Sequence, residues 1–355
     1  MVTKTRTRTR GTGTSDPPPE TKEINLDQLV TSFQLSRRQL SPGTVRYYET
    51  CLKNFLWYSQ KERWPEDAGL ITRDLIRQFL EYVGTDSNRW GYQDPTRSSS
   101  RVASTGTVNH YGRVVKRLFR WAADEEELIP DNGIWRLRLP SPHYKQVEPY
   151  TDSDVMAMLK GCDDEFRDSS RFLGSRNKAI ISIFADTGLR LSELAGIKLS
   201  DLAPSLKQLR VMGKGSKMRV LPLQGESMKT LNRYLIRFRQ KGDSDYLWLN
   251  DEGERLSKSA ITTMVERLKE RVGVTSSGLV HRFRHYFATR YLENGGNINA
   301  LRLLLGHESL AMVLHYSRWV EANKAIAEHD QFSPLDHLTR GGNHNRVDDG
   351  WGWRQ

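Results

Sequence analysis

The chain has 355 residues, enough for two domains that each bury a core of ordinary size. Its formal net charge of +11 exceeds what solubility requires and indicates an anionic partner, either nucleic acid or a membrane surface. The two cysteines, Cys51 and Cys162, have no Cys or His at ligand spacing, which argues against a zinc site and a disulfide framework. No run approaches the roughly 20 apolar residues that span a bilayer, so we expect no membrane contact and a cytoplasmic location.

The chain begins with a basic segment. Residues 1–23 alternate threonines with Lys4 and three arginines and then pass through three consecutive prolines. This composition cannot bury enough apolar surface to fold, so we expect a disordered tail. Its arginines either lie along nucleic-acid phosphates or stay solvated.

Residues 24–137 are predicted to form a helical domain. Ser41 and Pro42 are a helix-start signal, and apolar residues recur at helical spacing as far as Trp57. Two further helices are predicted over 73–83 and 107–123, separated by a Ser-rich loop at 84–106. One side of the last helix is basic, and this face is either solvated or in contact with phosphates. Its cations are Arg113, Lys116, Arg117 and Arg120.

A proline-rich stretch at 138–150 predicts a linker to a second domain at 151–338. That domain is mostly helical but contains two strand-like runs, Gln208 to Met212 and Met218 to Leu223, joined by Gly213-Lys214-Gly215-Ser216. We therefore expect a mainly α protein, with four or five helices in the first domain and a small antiparallel hairpin in the second. The last residues, 339–355, are predicted to be a disordered tail.

The first segment whose residue types suit catalysis follows the apolar run 179–185. A buried helix is predicted to end at Thr187-Gly188, and Arg190 then stands where a new helix opens. This position suits a guanidinium that binds a phosphate oxygen. The alternative is a structural ion pair between Arg190 and Glu193 or Asp201.

The second segment is the hairpin turn. Lys214 lies between two glycines at its tip, where a lysine reaches into a groove and delivers a proton to a leaving oxygen. Lys217 is the competing candidate, and a solvated turn lysine is the alternative for both.

The third segment is His281-Arg282-Phe283-Arg284-His285. On a helix, His281 and Arg284 share a face while Phe283 turns inward, so the two donors form a phosphate clamp. A metal site is the rival interpretation of the histidine pair. It lacks an acidic companion, and Arg284 would repel a cation.

The fourth segment runs from Leu304 to Tyr316. Gly306 is predicted to break one helix and His307 to start the next, with Leu310, Val313 and Leu314 packing it. A tyrosine placed like Tyr316 is, taken alone, more often a core aromatic than a nucleophile.

Taken together and in order, the motifs T-G-L-R-x-S-E, G-K-G-x-K, H-x-x-R-H, L-G-H and Y resemble the tyrosine recombinase (phage integrase) family, from about Thr151 to Phe332. The N-terminal half is similar to that family's helical, SAM-like core-binding domain through the residues Ser41-Pro42-Gly43-Thr44, Tyr48, Leu52 and Phe55. The resemblance implies the DNA breaking-rejoining fold in a simple two-domain, Xer-like form. Since only some twenty residues precede the first helix, we expect no additional arm-site domain of the lambda type.

The resemblance also assigns roles to residues. It implies that Arg190, His281 and Arg284 bind the scissile phosphate, and that Lys214 is the general acid for the leaving 5′ oxygen. It further implies that His307 is the remaining donor, Tyr316 the nucleophile and Glu193 a supporting acid. The predicted DNA-binding residues of the first domain are Thr44, Arg46, Arg113, Lys116 and Arg117.

The implied chemistry is transfer of a phosphodiester to tyrosine and on to another strand. Cations must offset the charge that builds on the phosphate, and two arginines and two histidines supply them, so we predict no metal, ATP or other cofactor. A phenol with a pKa of about 10 is a poor nucleophile, and we expect that its position between cations favours the phenolate. A 3′-phosphotyrosyl ester then stores the bond energy for rejoining.

The expected partner is double-stranded DNA with paired inverted half-sites, on which the protein would be nucleoid-associated. The resemblance implies a monomer in solution and a homotetramer in the synaptic complex, assembled by passing a C-terminal element to the neighbour. The segment Val320 to Leu338 is the predicted donor, unless it folds back on its own domain. We expect a mobile-element integrase ahead of a chromosome-dimer resolvase. The rivals are a type IB topoisomerase, a catalytically idle DNA-binding regulator and a metal-dependent nuclease.

Overall fold

The computed structural model describes residues 23–87, 89–91, 102–141, 148–213, 217–239, 244–276, 278–335 and 338. The chain divides into two compact units, Met1–Lys145 and Gln146–Gln355. The described residues are mostly helical, with one small antiparallel sheet, which confirms the predicted fold class. None of the helices in these ranges combines the length and the apolar character that a membrane crossing requires.

The first unit contains four α-helices in its described part. They are α1 (Leu26–Ser36), α2 (Pro42–Lys61), α3 (Arg73–Thr85) and α4 (Thr105–Arg120). A polar side chain before each helix accepts a hydrogen bond from a backbone N–H of the first turn, which satisfies a donor that the helix itself leaves free. These capping residues are Asn25, Ser41, Thr72 and Ser104.

Local sequence signals located these helices well. Ser41 caps α2 with Pro42 in its first turn, as predicted, and the helix continues four residues past Trp57. Helix α4 begins at Thr105, two residues before the predicted start, and passes into a π-helical turn at Trp121–Glu125. The helix starts were predictable because a cap and its first turn lie within a few residues of each other.

Aromatic rings fill the core of the first unit. Phe55 is fully buried, and its ring centroid lies 5.2 Å from Phe79, 5.7 Å from Trp64 and 6.4 Å from Phe119, each in an edge-to-face arrangement. Such pairs add to the free energy of simple area burial. These neutral rings pack with the aliphatic residues of the same core and contribute to the stability of the unit.

The second unit is larger. Its helices are α5 (Asp152–Asp168), α6 (Arg171–Thr187), α7 (Leu191–Leu194), α8 (Gly225–Arg233), α9 (Lys258–Arg271), α10 (His281–Glu293), α11 (Ile298–Leu305) and α12 (Ala311–Phe332). Its main core surrounds α6, whose residues 179–184 are all buried. A second, smaller apolar cluster joins α10, α11 and α12. This cluster places two of the predicted catalytic segments, the third and the fourth, next to each other.

The predicted hairpin is present as strands β1 (Gln208–Met212) and β2 (Met218–Pro222). They pair antiparallel, and β2 ends one residue before the predicted Leu223. Leu209 and Val211 turn toward the core, as their alternation with polar residues predicts. The residues 214–216 that join the strands lie outside the described ranges.

Candidate active site

The described residues include five of the six predicted catalytic side chains. Arg190 precedes α7, His281 and Arg284 lie in the first turn of α10, and His307 follows α11. Tyr316 is in α12. The sixth, Lys214, lies outside the described residues.

The competing lysine is described. Lys217 is exposed, and its Nζ lies 3.8 Å from the carboxylate of Glu308, which is also exposed. An exposed pair of this kind is weak, so the Lys217 ammonium is held loosely. The choice between Lys214 and Lys217 as general acid stays open.

Two glycines shape the site by ending helices. Gly188 ends α6 with φ 61°, and Gly306 ends α11 with φ 64°, both in the left-handed region that favours glycine. A Cβ at Gly188 would lie 2.7 Å from the ring of Phe287, and one at Gly306 would lie 3.0 Å from the guanidinium of Arg219. Both helix ends therefore need glycine for conformation and for space.

Arg284 is held by these helix ends. Only 1% exposed, it donates from Nη1 to the Gly188 carbonyl at 2.9 Å and from Nη2 to the Leu305 carbonyl at 2.6 Å. Nη2 also lies 2.6 Å from Nε2 of His307. Burial, followed by the charge of Arg190, lowers the pKa of Arg284 to about 10. The guanidinium is thus still charged at neutral pH and is locked in place.

His307 is buried and neutral. A guanidinium can only donate, so Nε2 of His307 accepts from Arg284 and the ring proton belongs on Nδ1. Burial, then the charges of Arg284, Arg190 and Arg219, lower its pKa to about 4. Within the described ranges Nδ1 is buried and has no hydrogen-bond partner, which leaves one oriented N–H donor available.

The prediction that His307 starts the last helix is wrong. Gly306 does end α11, but α12 begins only at Ala311, and His307 lies in the loop between them. The backbone N–H of His307 donates to the Arg302 carbonyl of the preceding helix. Of the residues predicted to pack α12, Val313 is fully buried, whereas Leu310 and Leu314 are partly exposed.

Arg190 combines an internal ion pair with exposure. Its Nη1 donates to Glu193 Oε1 at 3.0 Å, and its backbone N–H donates to Oε2 at 2.9 Å. The Arg190 side chain nevertheless remains 34% exposed. Asp201, the other predicted partner, instead accepts from the Lys198 backbone. The pair with Glu193 therefore orients Arg190 without enclosing it.

Glu193 is buried among cations. Burial by itself raises the pKa of its carboxyl, but hydrogen bonds from Arg219 and from the Arg190 backbone, together with both guanidinium charges, outweigh that cost and lower the pKa. Arg219 contributes the most, with Nη1 and Nη2 each 2.9 Å from one carboxylate oxygen. Glu193 is thus a carboxylate throughout the neutral range.

His285 of α10 lies next to the predicted nucleophile, and His281 lies next to His285. The ring centroid of His285 is 4.9 Å from His281 and 5.3 Å from Tyr316. Desolvation, then the neighbouring His281, His315 and two arginines, lower the pKa of His285 to about 4. His281 itself is exposed while Arg284 is buried, so the two residues of the predicted phosphate clamp differ in their access to solvent.

Tyr316 lies in the second turn of α12 and is only 7% exposed. Burial raises the pKa of its phenol, although the charges of Arg284 and Arg190 and a hydrogen bond from Arg284 act in the opposite direction. The prediction that the surrounding cations favour the phenolate is therefore wrong for the protein without DNA. The hydroxyl is protonated at neutral pH.

The described site residues share one electrostatic environment. The charge of Arg190 affects the pKa values of His281, Arg284, His307 and Tyr316. Folding thus gathers residues from four separate stretches of the chain around one basic centre. In the part of the chain that is described, no three His, Cys, Asp or Glu side chains form a group suited to a metal ion.

Two predicted DNA contacts on α4 have other partners. The Nζ of Lys116 donates to the Leu137 carbonyl at 2.5 Å, and partial burial lowers its pKa. Arg117 pairs with Glu125 at 3.0 Å on the surface. Lys116 therefore holds the segment after α4 against that helix. Arg117 has a weak, exposed ion pair, in which a phosphate can replace the Glu125 carboxylate.

The other three predicted DNA contacts differ in access. Arg46 and Arg113 are exposed on α2 and α4. Thr44 is half-buried, and its hydroxyl lies 2.8 Å from that of Ser41, the cap of the same helix. Arg46 and Arg113 are thus the best placed of the five to meet DNA.

Arg219 belongs to the site but was not predicted. It lies opposite Val211 in the hairpin register, on the face that also carries the buried Leu221. The alternation of β2 places Arg219 at an inward position, where a charged residue requires a partner. That pattern was the available signal, and it required knowing which face of the hairpin is buried.

Comparison with known proteins identifies the family of the chain. Residues 151–322 match the model of the phage integrase family. The tyrosine recombinase XerD of Halalkalibacterium halodurans is 27% identical over 84% of this chain and 94% of its own length. XerC of Shewanella amazonensis is 31% identical over 81% of this chain and 88% of its own.

Solved structures share the fold. XerH recombinase bound to a palindromic difH substrate superposes with a TM-score of 0.64 at 21% identity, covering 86% of this chain and 84% of XerH. A lambda integrase tetramer bound to a Holliday junction gives 0.61 at 18% identity, covering 83% of this chain and 78% of that one. Sequence and fold agree, and the chain belongs to the phage integrase family of site-specific tyrosine recombinases.

Proposed function

We propose that the chain cleaves and rejoins DNA strands through a 3′-phosphotyrosyl intermediate on Tyr316. The observation that carries the proposal is the placement of this phenol against Arg284, which hydrogen-bonds it and also bonds His307, and within the field of the Arg190 charge. Such a cluster suits one phosphate, whose negative charge offsets the repulsion among the cations.

Each donor contributes from a fixed position. Arg284 is locked by two backbone carbonyls, and the free Nδ1–H of His307 is oriented by Arg284. Arg190 and His281 add donors from the exposed side of the site. Because these groups are oriented before DNA binds, they stabilise charge on the equatorial phosphate oxygens without further rearrangement.

The reaction is a transesterification. The Tyr316 oxygen forms a bond to phosphorus and gives up its proton to water, while the bond from phosphorus to the 5′ oxygen breaks and that oxygen takes a proton from the general acid, Lys214 or its competitor Lys217. Because the phenol is protonated in the DNA-free protein, cleavage requires its deprotonation in the complex. The ester conserves the bond energy, so attack by another 5′ hydroxyl rejoins a strand without ATP. No step requires a metal.

The DNA partner is proposed to be a duplex with paired inverted half-sites. Exposed Arg46 and Arg113 of the first unit contact its phosphates, with Arg117 released from Glu125, and Lys116 and Thr44 contribute less because of their internal bonds. Four protomers assemble on two duplexes, as in the lambda integrase tetramer bound to a Holliday junction.

A C-terminal element is proposed to link neighbouring protomers. Apolar side chains at the end of the chain are largely exposed, with Ile326 at 71%. The others are Phe332, Leu335 and Leu338. Exposed apolar residues at this density favour an interface in the assembled tetramer. The monomer in solution stays a prediction.

The expected role in a mobile element rests on the basic N-terminal tail and the long 84–106 loop. Residues 1–22, Asn88 and residues 92–101 of these segments lie outside the described residues. This role stays a prediction, as do the domain boundaries and the nucleoid location.

The test uses a site selected from a random duplex library by binding to Tyr316→Phe protein. A nicked suicide substrate of that site is then incubated with wild type, Tyr316→Phe and the control Tyr291→Phe. We expect a covalent protein–DNA band with wild type and Tyr291→Phe, in EDTA as well, and none with Tyr316→Phe.

Other outcomes separate the rivals. A band that persists in Tyr316→Phe moves the nucleophile elsewhere, and a band lost in EDTA indicates a metal-dependent nuclease. Relaxation of supercoiled plasmid at low protein, without synapsis, favours a type IB topoisomerase. Specific binding without any covalent band indicates a catalytically idle regulator.

A further inference from the structure

Arg219 connects three parts of the second unit. It lies on β2, five residues after Lys214, with a side chain only 12% exposed. Its Nε donates to the Leu304 carbonyl at 2.8 Å, near the end of α11, and its two terminal nitrogens bond Glu193. One side chain thus joins the hairpin, the helix end before His307 and the acid beside Arg190.

Glu193 divides its bonds unequally between the two arginines. Arg219 occupies both carboxylate oxygens with two parallel bonds, the strongest geometry for a guanidinium and a carboxylate. Arg190 makes one guanidinium bond, from Nη1 to Oε1. The bidentate position on Glu193 is therefore taken by an arginine that is nearly buried.

Removing Arg219 would change this division. The Glu193 carboxylate is buried and would lose the hydrogen bonds from Arg219, which contribute most to offsetting the cost of burying its charge. Arg190, whose side chain is 34% exposed and therefore not enclosed, would turn to bond both oxygens. Its guanidinium would then be paired internally and withdrawn from a bound phosphate.

We propose that Arg219 is a positioning residue that holds Glu193 in a bidentate pair and so keeps Arg190 directed at the scissile phosphate. Through the Leu304 carbonyl it also fixes the hairpin against the loop that carries His307. The inference rests on the proposed function, because it assigns Arg219 a part in that same site.

The test compares wild type, Arg219→Gln, Glu193→Gln and the double variant. Single-turnover cleavage of the nicked suicide substrate is measured, together with DNA affinity and thermal unfolding. We expect Arg219→Gln to cleave on the order of tenfold more slowly with DNA affinity almost unchanged, since one oriented donor is displaced rather than deleted.

The double variant gives the decisive comparison. Because the double variant has no carboxylate at position 193, Arg190 cannot form an internal ion pair there and stays directed at the phosphate. The double variant should therefore cleave faster than Arg219→Gln. A purely structural role for Arg219 predicts the opposite, because a second buried partner is lost. Equal or slower cleavage by the double variant overturns the inference.

Arg239→Gln is the matched control, since Arg239 is also half-buried and bonds the backbone carbonyls of Ser244, Tyr246 and Leu247. It should leave the cleavage rate within about twofold, as expected away from the site. Loss of cleavage in Arg239→Gln as large as in Arg219→Gln would refute a specific role for Arg219.

A second readout does not depend on activity. In the crystal structure of Arg219→Gln, Arg190 should bond both oxygens of Glu193 through two guanidinium nitrogens, and an unchanged single bond overturns the inference. If wild type forms no covalent band, the proposed function fails, and this geometry still decides whether Arg219 sets the orientation of Arg190.

Discussion

The two units of the chain differ in where the cations and carboxylates discussed above lie. The first unit encloses neutral aromatic rings such as Phe55 and keeps Arg46 and Arg113 on its surface. The second unit buries Arg284 and Glu193 and compensates them with backbone carbonyls and paired cations. Surface cations suit contacts that must form anywhere along a phosphate backbone, whereas enclosed cations suit one phosphate held in one geometry.

This difference also shows which side chains can move when DNA binds. In the proposed complex, Arg117 would exchange its pair with Glu125 for a phosphate at little cost, because that pair is exposed. Arg284 cannot leave its carbonyl partners without exposing buried acceptors. If the proposed DNA contacts form, the cations of the first unit rearrange on binding, whereas the buried donors of the second unit are already oriented.

The largest effect is expected from the aromatic core. Phe55→Ala should lower the free energy of unfolding of the first unit by about 3–5 kcal/mol, because it removes three ring contacts and leaves a cavity. Chemical denaturation followed by tryptophan fluorescence measures it. Leu70→Ala, at an exposed position, should change stability by less than about 0.5 kcal/mol. A small loss in Phe55→Ala would contradict a core stabilised by rings.

The next effect concerns the buried cation of the second unit. Arg284→Lys should slow cleavage on the order of a hundredfold, about 3 kcal/mol in the barrier, because an ammonium cannot bond two carbonyls and His307 in the same plane. Single-turnover cleavage of the suicide substrate measures it.

The control for this change is Arg290→Lys in the same helix. Arg290 makes exposed pairs with Asp152 and Glu293, so its replacement should leave cleavage within about twofold. Comparable losses in the two variants would mean that the position in α10, rather than the buried guanidinium, governs the rate.

A third effect is a pH dependence confined to the second unit. The pKa values of His285 and His307 are about 4 in the folded protein, whereas an unfolded histidine titrates at about 6.5. Between these values the unfolded state binds more protons, so the free energy of unfolding falls as the pH is lowered from 6.5 toward 4. The slope should correspond to about two protons.

Denaturant titrations between pH 7.5 and 5 measure this slope. His285→Asn or His307→Asn should each reduce it by about one proton. If neither variant changes the dependence of the unfolding free energy on pH, groups other than His285 and His307 take up the protons on unfolding.

The smallest effect separates two cations of α4. Arg113→Ala should reduce the salt dependence of DNA binding by about one phosphate contact, because the exposed guanidinium releases a counterion on binding. Lys116→Met should leave the salt dependence nearly unchanged and lower stability instead, since its ammonium holds the Leu137 carbonyl. Binding isotherms over a range of salt concentrations distinguish them. A lower slope for Lys116→Met than for Arg113→Ala would reverse the assignment.

Local signals were sufficient for much of this protein. The Ser41 cap, the glycine that ends α6 before Arg190, and the alternation of the hairpin each depend on residues close together in the chain. These elements were therefore predictable, and so were the order of the motifs and the family that they resemble.

Long-range contacts decided the rest. Arg284 and the Gly188 carbonyl are 96 residues apart, and the Nε of Arg219 and its Leu304 acceptor are 85 apart, so no short pattern reveals either bond. The same applies to the loop position of His307 and to the internal bond of Lys116.

The sequence by itself determined the helical character of both units, the hairpin, the family and the residue types available to a phosphate. Only the tertiary structure decided that burial outweighs the nearby cations at Tyr316 and that Glu193 is shared between Arg190 and Arg219. The reason is physical. Helix caps and strand alternation are short-range, whereas desolvation and the pairing of buried charges depend on everything that packs around a group.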